Sequence, residues 1–293
     1  MTAITENQEE TQVEGRWLQL KKYSRRNPTV AIGLGLLVIM VLVSFIIPFF
    51  IADPLRMNPI MRLRPPSDEI WFGTDMFGRD IFARVIAGGK ISLVVGVMVA
   101  LVSTVLGLFI GIIAGYVRVL DAILMRIMDG LMAIPGVLLA IALISLAGAS
   151  ITNVIIAITI PELPRVVRLV RSVVLSLREQ VFVQAAISIG MPVWRVLFVH
   201  VLPNTLAPLI VQASYICASA MILEAILSFL GAGTPPEVPS WGNIIAEGRT
   251  YFQISPWIIF FPGLFLAITV LAVNLLGDGL RDSLDPKIAQ RMR

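Results

Sequence analysis

The sequence predicts an all-α polytopic membrane protein with six transmembrane helices and both termini cytoplasmic. Three observations carry that reading. First, 57% of the 293 residues are hydrophobic and 14% charged, with a mean hydropathy of +0.88, far from the balance of a soluble domain. Second, uncharged runs recur that are long enough, at about 1.5 Å per residue, to cross a ~30 Å hydrocarbon core. Third, basic residues flank those runs instead of forming one stripe. The formal charge of +4 therefore fits lipid headgroups and membrane orientation, and nucleic acid is not an expected partner. The lone cysteine, Cys217, lies inside an apolar run, which excludes an internal disulfide and a cysteine-rich metal site. His200 is the single histidine, has no neighbouring ligand residues and adjoins a membrane entry, so its expected role is structural or interfacial.

Residues 1–28 read as a cytoplasmic tail and an interfacial amphipathic segment. The first fifteen are polar and acidic without apolar periodicity; then Arg16, Lys21, Lys22, Arg25 and Arg26 surround Trp17, Leu18, Leu20 and Tyr23, a pattern suited to the headgroup layer. Residues 29–52 carry no charge and form the first transmembrane helix; the run is too long, and followed by too many others, for a cleaved signal peptide. Residues 53–90 form an external loop punctuated by Pro54, Pro59, Pro65 and Pro66. Within it, GTDMFGRD at 73–80 spaces Gly73 and Gly78 like a phosphate loop. Arg79 and Asp80 stand where lysine and serine or threonine are required, and no strand precedes, which argues against a nucleotide site.

Residues 91–282 are expected to form a five-helix core. The span at 91–117 repeats Gly107, Gly111 and Gly115 every four residues, so another helix can approach closely along that face; a glycine-lined translocation path is the alternative. Arg118, Asp121, Arg126 and Asp129 mark a short cytoplasmic turn. The uncharged stretch from 130 to 161 is divided by GASITN at 148–153 into helices at 130–146 and 151–170. Pro161 and Pro164 should kink the second, and Glu162 and Arg165, three apart, can neutralise each other near the inner boundary. The fifth span, 205–230, contains Pro208 and Glu224. A carboxyl at membrane depth costs on the order of a few kcal/mol unless paired or wetted, so Glu224 has two readings: a pore position touching substrate, or an internal hydrogen bond at a helix interface. An external loop at 231–255 carries PSWG at 239–242 and a short helix at 243–251, with Trp241 as an interfacial anchor or a docking point for a delivery protein. The sixth span is 256–276; GDGLRD at 277–282 returns the chain to a cytoplasmic tail at 283–293.

The stretch 179–203, EQVFVQAAISIGMPVWRVLFVHVLP, departs from this pattern. It reads as a helix through Ala185 and Ala186, broken at Gly190, restarted by Pro192 in a first turn, with Leu202 and Pro203 opening the next span. The order Ala-Ala, Gly, Leu-Pro resembles the cytoplasmic loop by which membrane subunits of ATP-binding-cassette importers dock onto their ATPases. Gln184 stands where that family usually has glutamate, replacing an ion pair with a neutral hydrogen bond. The run FGTDMFGRD at 72–80 is similar to the sequence before the second span in the dipeptide, oligopeptide and nickel branch of those importers. With KISL at 90–93, RSVVL at 171–175, SFLG at 228–231, PSWGN at 239–243 and NLLGDGLRD at 274–282, residues 27–287 resemble the C-type permease subunit of that branch.

The resemblance implies a type I ABC importer permease fold in a bacterial or archaeal inner membrane. Its implied partners are a homologous B-type permease, two cytoplasmic ATPase subunits carrying ATP and Mg, an external solute-binding protein and the lipid bilayer. The chain itself has no lysine-bearing phosphate loop, so it is expected to be no enzyme and to bind no cofactor or metal. In the implied coupling loop Gly190 fixes a corner, Ala185 and Ala186 permit close packing in the partner's groove, and Gln184 and Arg195 supply polar contacts at its edge, with Leu202 and Pro203 at its end. Similar permeases handle dipeptides, longer peptides, glutathione-like compounds and nickel chelates. Other classes of function remain: an ion-gradient-driven secondary transporter with Glu162 and Glu224 as proton carriers, and a non-transporting scaffold or receptor.

Overall fold

A computed structural model describes residues 28–284. The basic segment at 16–27, the tail from 285 and hence the cytoplasmic placement of both termini lie outside the described residues. Among the described residues the chain is helical and irregular, with one isolated antiparallel pairing, Thr74 with Asp80. Helix α1 is Pro28–Ile46, α2 Ile81–Tyr116, α3 Arg118–Ala133, α4 Gly136–Ala147, α5 Ile151–Arg178, α6 Val181–Ser188, α7 Val193–Val196, α8 Leu202–Phe229, α9 Trp241–Gly248 and α10 Trp257–Leu284. Four segments are long and apolar enough to cross a membrane: Pro28–Phe49, Ile81–Tyr116, Val193–Phe229 and Trp257–Ser283. The pair α3 and α4, bent by 90°, makes up to a fifth. Helix α5 has 28 residues, but Glu162, Arg165, Arg168, Arg171 and Arg178 dilute its apolar character.

Several boundaries differ from the sequence reading. Helix α2 starts at Ile81, so the external loop ends at Asp80 and not at residue 90; the Asp80 carboxylate accepts from the Phe82 N–H at 2.8 Å and caps the helix, while Arg84 and Lys90 inside it hide the start from a hydropathy count. Residues 118–129, expected as a turn, form most of α3, because their charges occupy one face of an amphipathic helix. Helix α5, with Pro161 and Pro164 inside it, ends at Arg178 and not at residue 170. Helix α10 likewise continues through 277–282, where a return loop was expected.

The most extensive helix packing joins α2 to α5. A Cβ added at Gly107, Gly111 or Gly115 would lie 2.5, 2.6 or 2.7 Å from the Cβ of Val166, Val170 or Val174 respectively. Both series step by four residues in the same sense, so the two helices run parallel with a ridge of valines seated in a glycine groove. This is the packing alternative for the glycine face. Val166, Val170 and Val174 are fully buried there.

At the other end of α2 the loop at 53–80 is pinned by charge. Arg79 Nε lies 2.6 Å from Asp75 Oδ2 and Arg79 Nη2 lies 2.6 Å from Glu247 Oε2; Arg84 Nη1 contacts the same two carboxylates at 2.7 and 2.5 Å. Two guanidiniums and two carboxylates thus form a neutral, largely buried cluster joining the loop, the first turn of α2 and α9. Beside it Trp241, expected as an interfacial anchor, is fully buried. Its indole N–H donates to the Val85 carbonyl at 2.9 Å, and its ring lies where any side chain on Gly89 would go, 2.9 Å from that Cβ. Burial with its N–H satisfied is the other way an indole lowers its free energy.

Two outcomes follow from this packing. Gly111→Leu should lower the melting temperature of the detergent-purified protein by the equivalent of about 1–3 kcal/mol of overpacking, and Val170→Ala in the same chain should recover part of the loss. Glu247→Gln, which leaves two guanidiniums facing one carboxylate, should cost about 3–5 kcal/mol in the same melt.

Candidate functional site

The segment between α5 and α8 folds as two short helices meeting at a glycine. Gln180 precedes α6, and its carbonyl accepts from the Val183 and Gln184 N–H groups, both at 3.0 Å. At the far end the Gly190 N–H donates to Ile187 at 2.9 Å and the Met191 N–H to Ala186 at 3.1 Å, the paired bonds of a Schellman stop. Gly190 takes φ +83°, a left-handed conformation in which a side chain would crowd the backbone. Pro192 lies just outside α7 as its capping residue, one position earlier than expected.

Leu202 and Pro203 stand at the start of α8 as expected, but no break precedes them. The run from Val193 is continuous, through a π-helical turn at Leu197–Val201, into α8. Pro203 has no N–H for the carbonyl four residues back. The chain accommodates that loss by widening one turn, with the Leu202 N–H donating to Leu197. This segment therefore runs without a break into a helix long and apolar enough to cross a membrane.

Val183, Ala186, Val196 and Val201 are buried against the body of the protein. Gln184, Ala185, Gly190, Arg195 and Pro203 are exposed and Leu202 is half-buried. Ala186 therefore packs inward under its own chain, and of the alanine pair only Ala185 faces outward. The outward face also carries apolar residues that the sequence reading passed over: Val181, Phe182, Ile187, Ile189, Trp194 and Phe198, with Val181 81% and Ile189 79% exposed. Their signal was present in the sequence as hydrophobic residues flanking a polar motif, but it merges with the neighbouring spans. Among the described residues the Gln184 side chain makes one contact, a long one from Nε2 to the Glu179 carbonyl at 3.5 Å. His200 lies beside Phe182, with ring centres 5.8 Å apart.

Arginines on α5 tie the start of this segment to α2 and α3. Arg178 Nη1 donates to the Gly115 carbonyl at 2.9 Å and the Tyr116 carbonyl at 3.3 Å, placing a cation on the C-terminal end of α2. Arg171 grips Asp121 through both nitrogens at 2.5 and 2.6 Å, and Arg168 meets Asp129 at 2.6 Å. Helices α2, α3 and α5 thus end as one cross-braced unit. Between α5, α8 and α10 a cavity of about 400 Å³ is lined by Leu169, Pro208, Gln212, Tyr215 and Arg281.

The two intramembrane carboxylates stand apart from the segment. Glu162 is buried, 3.2 Å from Arg165 Nη1, and accepts from the Ser219 hydroxyl at 3.3 Å. Glu224 is fully buried at a junction of α8, α2 and the turn before α9. It accepts from the hydroxyls of Ser240 at 2.8 Å, Ser228 at 3.0 Å and Ser92 at 3.3 Å. Ser240 in turn caps α9 by accepting from the Asn243 N–H at 3.1 Å. The geometry is that of an internal hydrogen-bond hub, with no open surface at the carboxyl group.

Comparison with known proteins places this architecture. The profile of the family described as "Binding-protein-dependent transport system inner membrane component" matches residues 103–290. A probable peptide ABC transporter permease of Sinorhizobium fredii, y4tQ, is 54% identical over 270 residues, covering 92% of this chain and 93% of its own. The dipeptide transport system permease protein DppC of Alkalihalophilus pseudofirmus is 42% identical over 274 residues, with 93% and 90% covered. Among solved structures, an inward-facing MetNI methionine ABC transporter superposes with a TM-score of 0.57 at 16% identity, covering 69% of this chain and 96% of that one, a likeness of fold.

For Glu224 the hub geometry sets a graded expectation. Glu224→Gln keeps acceptors for Ser228 and Ser240 and should melt within about 1 kcal/mol of the parent, whereas Glu224→Leu strands buried hydroxyls at about 1–3 kcal/mol each. Thermal unfolding of the two purified variants measures the gap.

Proposed function

We propose that this chain, which belongs to the family of binding-protein-dependent transport system inner membrane components, is a permease subunit of an ATP-driven importer for dipeptides and oligopeptides. It forms the pore with a homologous permease, receives cargo from an external solute-binding protein, and is driven by two cytoplasmic ATPase subunits that hold ATP and Mg. Six spans complete the fold when α5 and the bent pair α3–α4 are each counted with the four apolar segments. Both termini then lie on the cytoplasmic side.

The observation that carries this reading is the outward face of residues 181–199. A surface bearing Val181, Phe182, Ile189, Trp194 and Phe198 at the end of a membrane protein has the composition of an interface, with Gln184 and Arg195 as its polar rim. It is also mechanically connected. Force applied to α6 passes into α5 on one side and, through the π-helical turn, into α8 on the other. The arginine braces carry it on to α2 and α3. Closure of the ATPase pair would then move these helices as a body and change which side of the pore is open. The hydrogen-bond hub around Glu224 favours this reading over an ion-gradient carrier, since its carboxyl group is enclosed by hydroxyls.

Gly190→Val places a β-branched residue in the left-handed region, which costs about 1–2 kcal/mol and displaces the corner. Membrane insertion and expression should be unchanged while dipeptide uptake falls to background; Gly190→Asn, which tolerates that conformation, should retain uptake. In proteoliposomes of the assembled complex, uptake should require enclosed ATP and survive a protonophore. Uptake that persists without ATP and collapses with the protonophore would instead support a gradient-driven carrier.

A further inference from the structure

A second surface, on the membrane-embedded wall far from the coupling segment, has the shape of a binding site. Helices α1, α2, α8 and α10 enclose a groove of about 610 Å³ whose walls include Leu37, Phe45, Val94, Leu101, Cys217 and Val273. The wall is apolar except for Ser214, whose hydroxyl is already used by the Val211 carbonyl at 2.7 Å. Nothing there can satisfy a peptide backbone or a polar solute.

The mouth of the groove is charged. Lys90 lies one helical turn before Val94 on α2, is exposed, and holds its ammonium 6.0 Å from the ring centre of Phe45. It forms no ion pair among the described residues. Phe49, Phe50 and Trp71, which are 85%, 83% and 63% exposed, belong to the same end of the molecule, the composition of a headgroup-level belt. From Lys90 to Leu101 the helix rises about 16 Å at 1.5 Å per residue, close to one leaflet of a ~30 Å core.

The lining and the charge at one end decide between occupants. The groove is open along its length and lined by apolar side chains, and Lys90 stands at its headgroup end beside Phe45, a pairing that matches an acyl chain carrying an anionic headgroup. We propose that the groove binds one acyl chain of an anionic phospholipid from the leaflet opposite the coupling segment, with the phosphate of its headgroup on Lys90. The site requires only that the chain lies in a bilayer, whatever it carries.

Native mass spectrometry of the full-length chain in mild detergent, titrated separately with dioleoyl phosphatidylglycerol and dioleoyl phosphatidylcholine, tests this. The parent protein should retain phosphatidylglycerol about five-fold more readily, the worth of one lysine facing an anionic headgroup. Lys90→Gln should bring the two lipids to parity while keeping the phosphatidylcholine adduct, and Val97→Trp, which fills the groove from its exposed wall, should remove both adducts. If the tryptophan variant melts early, Ala213→Leu fills the groove from α8 and is read in its place. Equal retention by the parent, or a preference that survives Lys90→Gln, overturns the headgroup assignment. Adducts that persist with the groove filled overturn the site itself. So does efficient cross-linking of Val97→Cys to a homologous permease in the assembled complex, which would make the groove a seat for protein.

Discussion

A row of glycines on α2 pressed against a row of valines on α5 sets the distance between the two most extensively packed helices in the molecule. With a Cβ separation near 2.6 Å for any residue larger than glycine, the seam tolerates no alternative side chain without moving a helix. In a bilayer there is little hydrophobic gain from bringing helices together, so such close, continuous packing is what makes the pair one body. Everything at the inner end is referenced to it. Arg178 can reach the last carbonyls of α2, and Arg171 and Arg168 can reach α3, only because the seam holds α5 at that depth and rotation.

That body also holds the segment at 179–203. A surface carried on irregular chain would bend locally under load. Here the Schellman stop at Gly190 fixes the angle between α6 and α7, and the π-helical turn before Pro203 lets the second arm run into α8 without a hinge of irregular chain. A wide turn is a common answer to a proline inside a helix, and it preserves hydrogen bonding where a break would have uncoupled the segment from the span.

The sequence made the local features legible. Small residues every four positions announced the seam, and Gly190 between Ala186 and Pro192 announced a corner between two short helices, because each depends on residues close together in the chain. What it did not disclose depends on distant partners. Arg84 looks like a boundary charge until Glu247, 163 positions away, is seen to meet it. Trp241 reads as an interfacial anchor because nothing nearby in sequence says that Gly89 leaves room for its ring. The charges of α3 read as a turn because their partners, Arg168 and Arg171, lie on another helix. Even Ala186, singled out by motif as a packing contact for a partner, has a direction that only the helix phase against the protein body determines, and that phase buries it.

The neutral cluster at the outer end carries a consequence for biosynthesis. Asp75, Arg79 and Arg84 leave the ribosome long before Glu247, so the half-made protein holds two guanidiniums against one carboxylate in a space that closes only when charge balances. Until α9 is synthesised, that space must stay hydrated and the first external loop unfastened. A chain truncated ahead of α9 therefore lacks the second carboxylate that balances Arg79 and Arg84, and the loop at 53–80 stays unpinned.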